Sequence, residues 1–291
     1  MTFKNALRRE DFVLTSHIDL ATVTDAKGLL DQGEILRTTV DAIQLTDSSR
    51  DRLSSLSAAA ILIQNGIDPI VHINCRDRNR IAMQKDFLGA TALGVSSVLV
   101  IRGAKILKSK KLGVRNVYDM PALEFMAYIQ GLKQDENHPL SSDFIIGANA
   151  EAFDPEPDWS PNNLIRKCDA GSNFVQLQIC FDVDVLRHYM ASIVANKLPH
   201  RAQFIAALAP LPSADAAREL RDNVKGALIP DAIIDRLEHA TDSASEGVAI
   251  CAEALEQLVT IPGLSGANLV PLGAVDAIPA AITASGIRPA A

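Results

Sequence analysis

Short apolar runs rich in Val, Ile and Leu alternate along this chain with longer stretches whose apolar residues recur at helical spacing. Nearly unbroken apolar strands separated by helices are typical of parallel strands buried on both faces. The predicted strands are Phe12–Ile18, Ala42–Leu45, Ile70–Asn74, Val98–Ile101, Phe144–Ala148, Phe174–Gln178, Gln203–Ala207 and Ala267–Leu272. Eight strand–helix units in 291 residues favour a closed α/β structure, a single (β/α)8 TIM barrel over residues 1–291, rather than an open sheet.

The helical stretches between these strands are marked at several of their ends by glycine. Gly66, Gly94 and Gly171 follow apolar helical runs, where a left-handed residue commonly ends a helix. The predicted helices are Ser54–Asn65, Arg78–Leu93, Ala122–Lys133, Pro161–Ala170, Asp182–Asn196, Ala214–Asn223 and Val275–Ser285. An extra helical segment before strand eight is predicted at Asp231–His239 and Ser245–Thr260. No GxGxxG follows strand one, which argues against a Rossmann dinucleotide site.

Composition excludes several classes of function. Lys and Arg number 28 against 35 Asp and Glu, a net charge of −7, so no nucleic-acid partner is expected. The lysine-rich stretch Lys105–Lys111 is interpreted as a solvated loop, with phosphate or polyglutamate contact as the alternative. The four cysteines form no CxxC pair, which predicts neither a metal site nor disulfides. Without a signal-like or membrane-spanning apolar run, a cytoplasmic protein with no membrane partner is expected.

Polar residues cluster at the predicted strand ends. In this fold the active site lies at the carboxyl ends of the strands, so these residues are the candidates for chemistry. They are His17 and Asp19 after strand one, Thr46 and Asp47 after strand two, His72 to Asp77 around the end of strand three, Arg102 and Gly103 after strand four, Asn149 after strand five, and Gln176 and Gln178 in strand six. Such convergence from six strands predicts a functional pocket.

Each of these residues also has a structural interpretation. His17 and His72 could be core histidines bonded to carbonyl groups, and Asp77 could cap a helix beside Arg78. Gln178 is harder to explain in this way, because a buried amide requires hydrogen-bond partners.

Two long segments resemble one enzyme family. The stretch HINCRDRNRIAMQKDFLGATALGVSSVLVIRG (His72–Gly103) is similar to the third and fourth strand–helix units of methylenetetrahydrofolate reductases. The stretch RKCDAGSNFVQLQICFD (Arg166–Asp182) resembles the region leading into their strand six. Weaker similarity covers DAIQLTDSSRDRLSS, FIIGAN and FIAALAPL, so the resemblance extends in order over nearly the whole chain.

The resemblance implies a flavoenzyme of one-carbon metabolism. Members of the family hold FAD across the barrel mouth and pass a hydride from NAD(P)H through the flavin to 5,10-methylenetetrahydrofolate, giving 5-methyltetrahydrofolate. Carried over residue by residue, the positions lining the flavin are Thr46, His72, Arg102, Gly103, Tyr118, Ala148 and Lys167. Gln178 matches a catalytic glutamine that contacts the folate, and Asn149 and Asp77 are further candidates for substrate binding. A homo-oligomer is expected by analogy.

Several positions depart from the family pattern. His17 stands where the family has a glutamate that acts as general acid, and a histidine can also deliver a proton near neutral pH. Ala104 replaces an aspartate near the flavin, and Glu151–Asp154 replaces a Pro-Glu-Gly-His-like stretch. Leu177 replaces a threonine, and Ala214 an aromatic residue.

These departures leave three functions open. The first is reduction of methylenetetrahydrofolate, with or without flavin. The second is a tetrahydrofolate-dependent methyltransferase or demethylase, in which holding a folate nucleophile in line with a methyl donor would be the main requirement. The third is a non-catalytic subunit that binds another one-carbon enzyme. All three use the same fold, so the fold does not separate them.

Overall fold

The computed structural model describes residues 3–9, 12–47, 53–106, 113, 115–138, 140 and 143–288. Its strands are β1 Val13–Ile18, β2 Ala42–Leu45, β3 Pro69–Asn74, β4 Ser97–Ile101, β5 Ile145–Ala150, β6 Phe174–Ile179, β7 Gln203–Leu208 and β8 Leu264–Leu269. Each strand pairs in parallel with its neighbours in sequence, and β8 pairs with β1 to close the barrel. The predicted (β/α)8 barrel is confirmed.

Helices cover the outside of the barrel, except for the first helix, which precedes β1 and covers the amino-terminal end of the strands. They are α1 Phe3–Arg8, α2 Ala26–Leu36, α3 Ser55–Gln64, α4 Arg80–Ala92, α5 Ala122–Gln134, α6 Asn162–Asp169, α7 Val183–Ala195, α8 Ala214–Asn223, α9 Asp231–His239, α10 Ser243–Leu258 and α11 Ala277–Ala284. The extra segment predicted before strand eight is α9 with α10. Of the lysine-rich stretch, only Lys105 and Ile106 belong to the described residues.

Several helices begin at a side chain that caps their first free N–H groups. Asp25, Ser54, Asn79, Asp182 and Ser213 each accept a backbone hydrogen bond at the start of α2, α3, α4, α7 and α8, respectively. These caps fix where each helix leaves the loop at the carboxyl end of a strand. They therefore set the lengths of the loops that surround the candidate site.

The amino-terminal end of the strands, here called the lower end of the barrel, is closed by α1 and the apolar cluster that it covers. Phe3 and Leu7 of α1 pack against inward-facing residues of the strands, and the Phe3 ring meets Phe174 edge to face at 5.0 Å. The strand residues in this cluster include Val13, Ala42, Ile70, Leu99, Phe174 and Ile205. Polar chemistry is consequently confined to the middle of the barrel and its upper mouth.

Strand β8 begins three residues earlier than predicted. Ser265 and Gly266 resemble a turn in the sequence, yet Gly266 lies inside the strand opposite Val13. A Cβ at Gly266 would lie 2.3 Å from the carbonyl oxygen of Val13, so a glycine is needed for β8 to approach β1. In the described part of the chain, no helix is long and apolar enough to cross a bilayer.

Candidate active site

The pleat of the strands brings the predicted polar residues to the mouth of the barrel. Because Val13, Ile70 and Phe174 face the lower interior, alternate residues further along the same strands also face inward. His17 on β1, His72 and Asn74 on β3 and Gln178 on β6 therefore face the interior at or near the mouth. The convergence expected from the strand ends is present for these positions.

His17 lies half-buried at the floor of this mouth. Its Nδ1 atom is buried and has no hydrogen-bond partner in the structure, and its ring meets the ring of His72 edge to face at 6.4 Å. Burial lowers the pKa of His17 to about 4, while the nearby Asp19 carboxylate acts in the opposite direction. In the free protein the imidazole is therefore neutral at pH 7, and a role as proton donor requires a ligand that raises this pKa.

His72 is more deeply buried, with 6% of its surface exposed. Burial, helped by the proximity of His17, lowers its pKa to about 3. Its Nε2 lies 2.8 Å from Oε1 of Gln44. His72, which the resemblance assigns to flavin contact, therefore has a neutral imidazole ring that Gln44 holds from below.

A polar layer lies inside the barrel between the mouth and the apolar lower cluster. Nε2 of Gln44 lies 3.0 Å from Oγ1 of Thr15, 2.6 Å from Oε1 of Gln176 and 3.1 Å from Oδ1 of Asn268. Thr15 also donates to Oδ1 of Asn268 at 2.9 Å, whereas Nδ2 of Asn268 is buried without a partner. This layer was not predicted as a unit. Polar residues at alternate positions of otherwise apolar strands are the signal that would have indicated it.

Thr46 is placed at the mouth by two backbone contacts. Its hydroxyl donates to the carbonyl oxygen of Ile18 at 3.2 Å and accepts from the amide of Leu20 at 3.4 Å. Thr46 thus ties the end of β2 to the loop after β1, close to His17. One lone pair of the hydroxyl is left for a ligand.

The end of β3 is organised by an ion pair between the buried Arg76 and the more exposed Asp77. Arg76, 4% exposed, donates from Nε and Nη2 to the two oxygens of Asp77, each at 2.6 Å. Burial alone would raise the pKa of Asp77, but Arg76 outweighs this effect and holds the pKa below its usual value. Asn74 donates a third hydrogen bond to Asp77 at 3.2 Å. Asp77 is thus ionised and largely engaged by the protein, so its direct binding of substrate stays a prediction.

The loop after β4 packs closely on this ion pair. Gly103 has a φ of +78°, and a Cβ there would lie 2.8 Å from Cβ of Arg76. Tyr118 donates from its hydroxyl to the carbonyl oxygen of Gly103 at 3.0 Å, while the guanidinium carbon of Arg102 lies 4.7 Å from the centre of the Tyr118 ring. Arg102 is exposed at the rim. The loop therefore presents a cation and a flat aromatic ring beside the mouth.

A second cluster lies beyond β5. Lys167 donates to the carbonyl oxygen of Asn149, and burial lowers the pKa of this lysine while Glu151 opposes the shift. Lys167 also borders a cavity of about 320 Å³. Other residues lining this cavity are Asn149, Glu151, Phe153, Trp159, Tyr189 and Lys225. The cavity offers aromatic surface together with ammonium groups, next to the exposed side chain of Asn149.

The structure separates other predicted positions from the mouth. Ala148 is 1% exposed and packs in the layer between sheet and helices, so only its backbone could meet a cofactor. Leu177 lies in the same layer, and its replacement of the family's threonine leaves the mouth surface unchanged. Ala214 is buried in that layer as the first residue of α8. Gln178 is half-buried, and its Oε1 accepts from the amide of Ile179 at 2.9 Å, which leaves its NH2 group for a ligand.

The model of one protein family matches this chain over residues 31–282, and its description is methylenetetrahydrofolate reductase. The chain belongs to the methylenetetrahydrofolate reductase family. The match begins within α2 and ends within α11, so it includes seven of the eight barrel strands and their loops. The resemblance inferred from His72–Gly103 and Arg166–Asp182 is confirmed at the level of the family.

The individual proteins to which this chain is similar are distant from it in sequence. A probable methylenetetrahydrofolate reductase (NADPH) of Caenorhabditis elegans is 24% identical over 214 residues, which are 71% of this chain. The matched region spans only 30% of that curated relative. Among solved structures, a 2,3-dimethylmalate lyase has a TM-score of 0.48 at 11% identity, covering 91% of this chain and 78% of that one. An oxaloacetate acetylhydrolase has a TM-score of 0.49 at 10% identity, covering 92% and 79%.

Proposed function

We propose that this chain is a one-carbon folate enzyme that reduces 5,10-methylenetetrahydrofolate to 5-methyltetrahydrofolate with NAD(P)H. The observation that carries the proposal is the grouping of His17, Thr46 and His72 in the floor of the mouth, with an orphaned ring nitrogen on His17. An unpartnered buried polar atom costs about 1–3 kcal/mol, which is recovered when a ligand supplies its hydrogen bond. Family membership makes a folate the ligand of choice.

The residues of the mouth fit FAD. The orphaned Nδ1 of His17 and the hydroxyl of Thr46 suit the polar edge of a flavin ring, and Arg102 offers its guanidinium to an anionic diphosphate. Lys167 and the aromatic cavity beside it suit the remainder of a dinucleotide. When bound, FAD would carry the hydride between NAD(P)H and the folate.

The chain's own residues would bind and orient the folate and manage its proton. The free NH2 group of Gln178 would donate to an acceptor atom of the pterin. His17 would hold a proton at the reacting nitrogen once a bound anion raises its pKa from about 4. The apolar lower cluster would keep bulk water from reaching the floor from below.

The first experiment is a visible absorbance spectrum of the purified protein, repeated after incubation with FAD and desalting. NAD(P)H oxidation in the presence of methylenetetrahydrofolate is then assayed with and without FAD. Retained flavin bands and turnover are expected. Absence of turnover under both conditions contradicts the reductase proposal.

Methyl transfer to or from tetrahydrofolate is the second candidate, favoured by the neutral state of His17. A buried imidazole with a pKa of about 4 is better suited to accept the proton released when a folate N–H is methylated than to act as an acid. Ala104 also presents no carboxylate at the β4 rim. Methoxy and N-methyl donors are incubated with tetrahydrofolate, and appearance of 5-methyltetrahydrofolate without NAD(P)H selects this function.

A further inference from the structure

The amide of Gln44 is the centre of the polar layer inside the barrel. It is 0% exposed, and its nitrogen faces three oxygen atoms, those of Thr15, Gln176 and Asn268, between 2.6 and 3.1 Å away. With the oxygens of these three side chains turned toward it, the NH2 end of the Gln44 amide lies here, and its oxygen lies on the side of His72. The Thr15 hydroxyl agrees with this direction, because it donates to Asn268 and must accept from Gln44.

This orientation decides the state of His72. With its nitrogen engaged below, Gln44 turns Oε1 toward Nε2 of His72 at 2.8 Å. Oε1 can only accept, so Nε2 must carry the proton. In a neutral imidazole the other nitrogen, Nδ1, then holds a lone pair. Nδ1 of His72 has no partner in the described part of the chain and, unlike Nδ1 of His17, is not fully shut off from solvent.

We propose that Gln44 is a positioning residue that holds His72 in the Nε2–H tautomer, so that Nδ1 of His72 accepts a hydrogen bond from the ligand in the mouth. The group that meets His72 is therefore a hydrogen-bond donor, such as the lactam N–H or exocyclic amine of a pterin or the ring N–H of a flavin. A carbonyl oxygen at this position would face a lone pair and is disfavoured. The choice of these ligands rests on the proposed function, whereas the tautomer does not.

The tautomer is measured in the unliganded protein by long-range ¹H–¹⁵N correlation spectra of ¹⁵N-histidine-labelled material at pH 7. The chain has six histidines, and the signals of His72 are assigned by their loss in His72→Gln. We expect a protonated Nε2 and an unprotonated Nδ1. A protonated Nδ1 overturns the proposal, because it would mean that the Gln44 amide is turned the other way.

Substitution of Gln44 separates positioning from packing. Gln44→Met keeps the volume but removes the acceptor, and we expect the single His72 tautomer to be replaced by a mixture. Gln257→Met, on the exposed face of α10, is the matched control and leaves the His72 signals unchanged. If Gln44→Met retains the pure Nε2–H form, Gln44 is not the positioning residue. If that variant does not fold, the tautomer of the wild-type protein is the deciding measurement, in which Nε2–H supports the proposal and Nδ1–H overturns it.

Addition of tetrahydrofolate or FAD tests the role of Nδ1 as acceptor. Calorimetry first establishes which of the two binds, and the Nδ1 resonance of His72 is expected to move upfield on binding. Binding without any change at Nδ1 overturns the acceptor role. If the wild-type protein has the Nε2–H tautomer but binds neither compound, the proposed function is contradicted, and so is the choice of a pterin or flavin as the hydrogen-bond donor. The role of Gln44 in holding the His72 tautomer is unaffected by that result.

Discussion

At the scale of single residues, His17 combines a buried orphan nitrogen, a neutral ring at pH 7 and a place on the floor of the mouth. His17→Ala is expected to lower kcat by about 10²–10⁴-fold if the ring moves a proton during turnover. The melting temperature at pH 7 should change little, because the ring makes no hydrogen bond through Nδ1 in the free protein. Tetrahydrofolate should bind more weakly by up to about 1–3 kcal/mol, because the hydrogen bond that the ligand makes with Nδ1 is lost. His239→Ala, an exposed histidine on α9, is the control. Retained activity in His17→Ala would make His17 structural.

Gln178 offers a second test at this scale. Its Oε1 is held by the amide of Ile179 at 2.9 Å, so its NH2 group has a fixed direction. Gln178→Ala should weaken tetrahydrofolate binding by about 1–3 kcal/mol, the value of a hydrogen bond whose loss leaves a ligand atom unsatisfied. Calorimetry compares this variant with Gln257→Ala on the exposed face of α10. Equal affinity in the two variants rejects the assignment.

The sequence predicted which residues gather at the mouth but not how they are linked. Strand ends of a parallel barrel lie at one edge, so the positions of His17, Thr46 and Gln178 follow from strand boundaries alone. The bond between Gln44 and His72 depends on the register of β2 against β3. Register is set by packing across the barrel, which one sequence does not reveal.

At the scale of elements, α10 is held against the chain that leaves β7 by a glycine. A Cβ on Gly247 would lie 1.8 Å from the carbonyl oxygen of Leu211. Gly247→Ala should therefore move α10 outward and lower the free energy of unfolding by about 1–3 kcal/mol. Urea unfolding midpoints measure this loss.

Gly131 in α5 provides the control for Gly247, since a Cβ there meets no atom within 4 Å. Gly131→Ala should raise stability by up to about 1 kcal/mol, because alanine is the better helix former. A Gly247→Ala variant as stable as Gly131→Ala would contradict the close packing of α10.

Helices and strands were predicted from the sequence where their apolar pattern is uninterrupted. The strands and the helices from α3 to α11 were predicted within a few residues, since their apolar residues follow strand or helix spacing without interruption. Helix α2 was not predicted, because Gly28 and Gly33 interrupt a run that only tertiary packing makes favourable. Helix α1 was also missed. Its six residues are too few to form a helix without the barrel beneath them.

At the scale of the whole molecule, the two mouth histidines make stability depend on pH. Burial lowers the pKa of His17 to about 4 and that of His72 to about 3, from the usual histidine value of 6.5. Below pH 6.5 the unfolded chain therefore binds more protons at these sites than the folded protein, so stability falls as the pH falls. The loss begins near pH 6.5, and the His17 contribution ends near pH 4.

The expected slope is up to about 1.4 kcal/mol per pH unit for each histidine. Urea unfolding between pH 7.5 and pH 5 measures it above the range where most carboxylates titrate. The His17→Ala variant should lose about half of the slope over this interval. A wild-type stability that is flat between pH 7 and pH 5 would show that the histidines are not buried as neutral groups.

The apolar closure beneath α1 has a kinetic consequence. With Phe3 and Phe174 filling the lower end of the barrel, every molecule that reaches the polar floor must enter and leave through the upper mouth. The two flat reactants of the proposed reaction, NAD(P)H and the folate, can then react only by stacking together over the floor or by occupying it in turn. If they occupy the floor in turn, a large excess of one reactant blocks the position that the other needs. The rate should then pass through a maximum as the concentration of either reactant is increased.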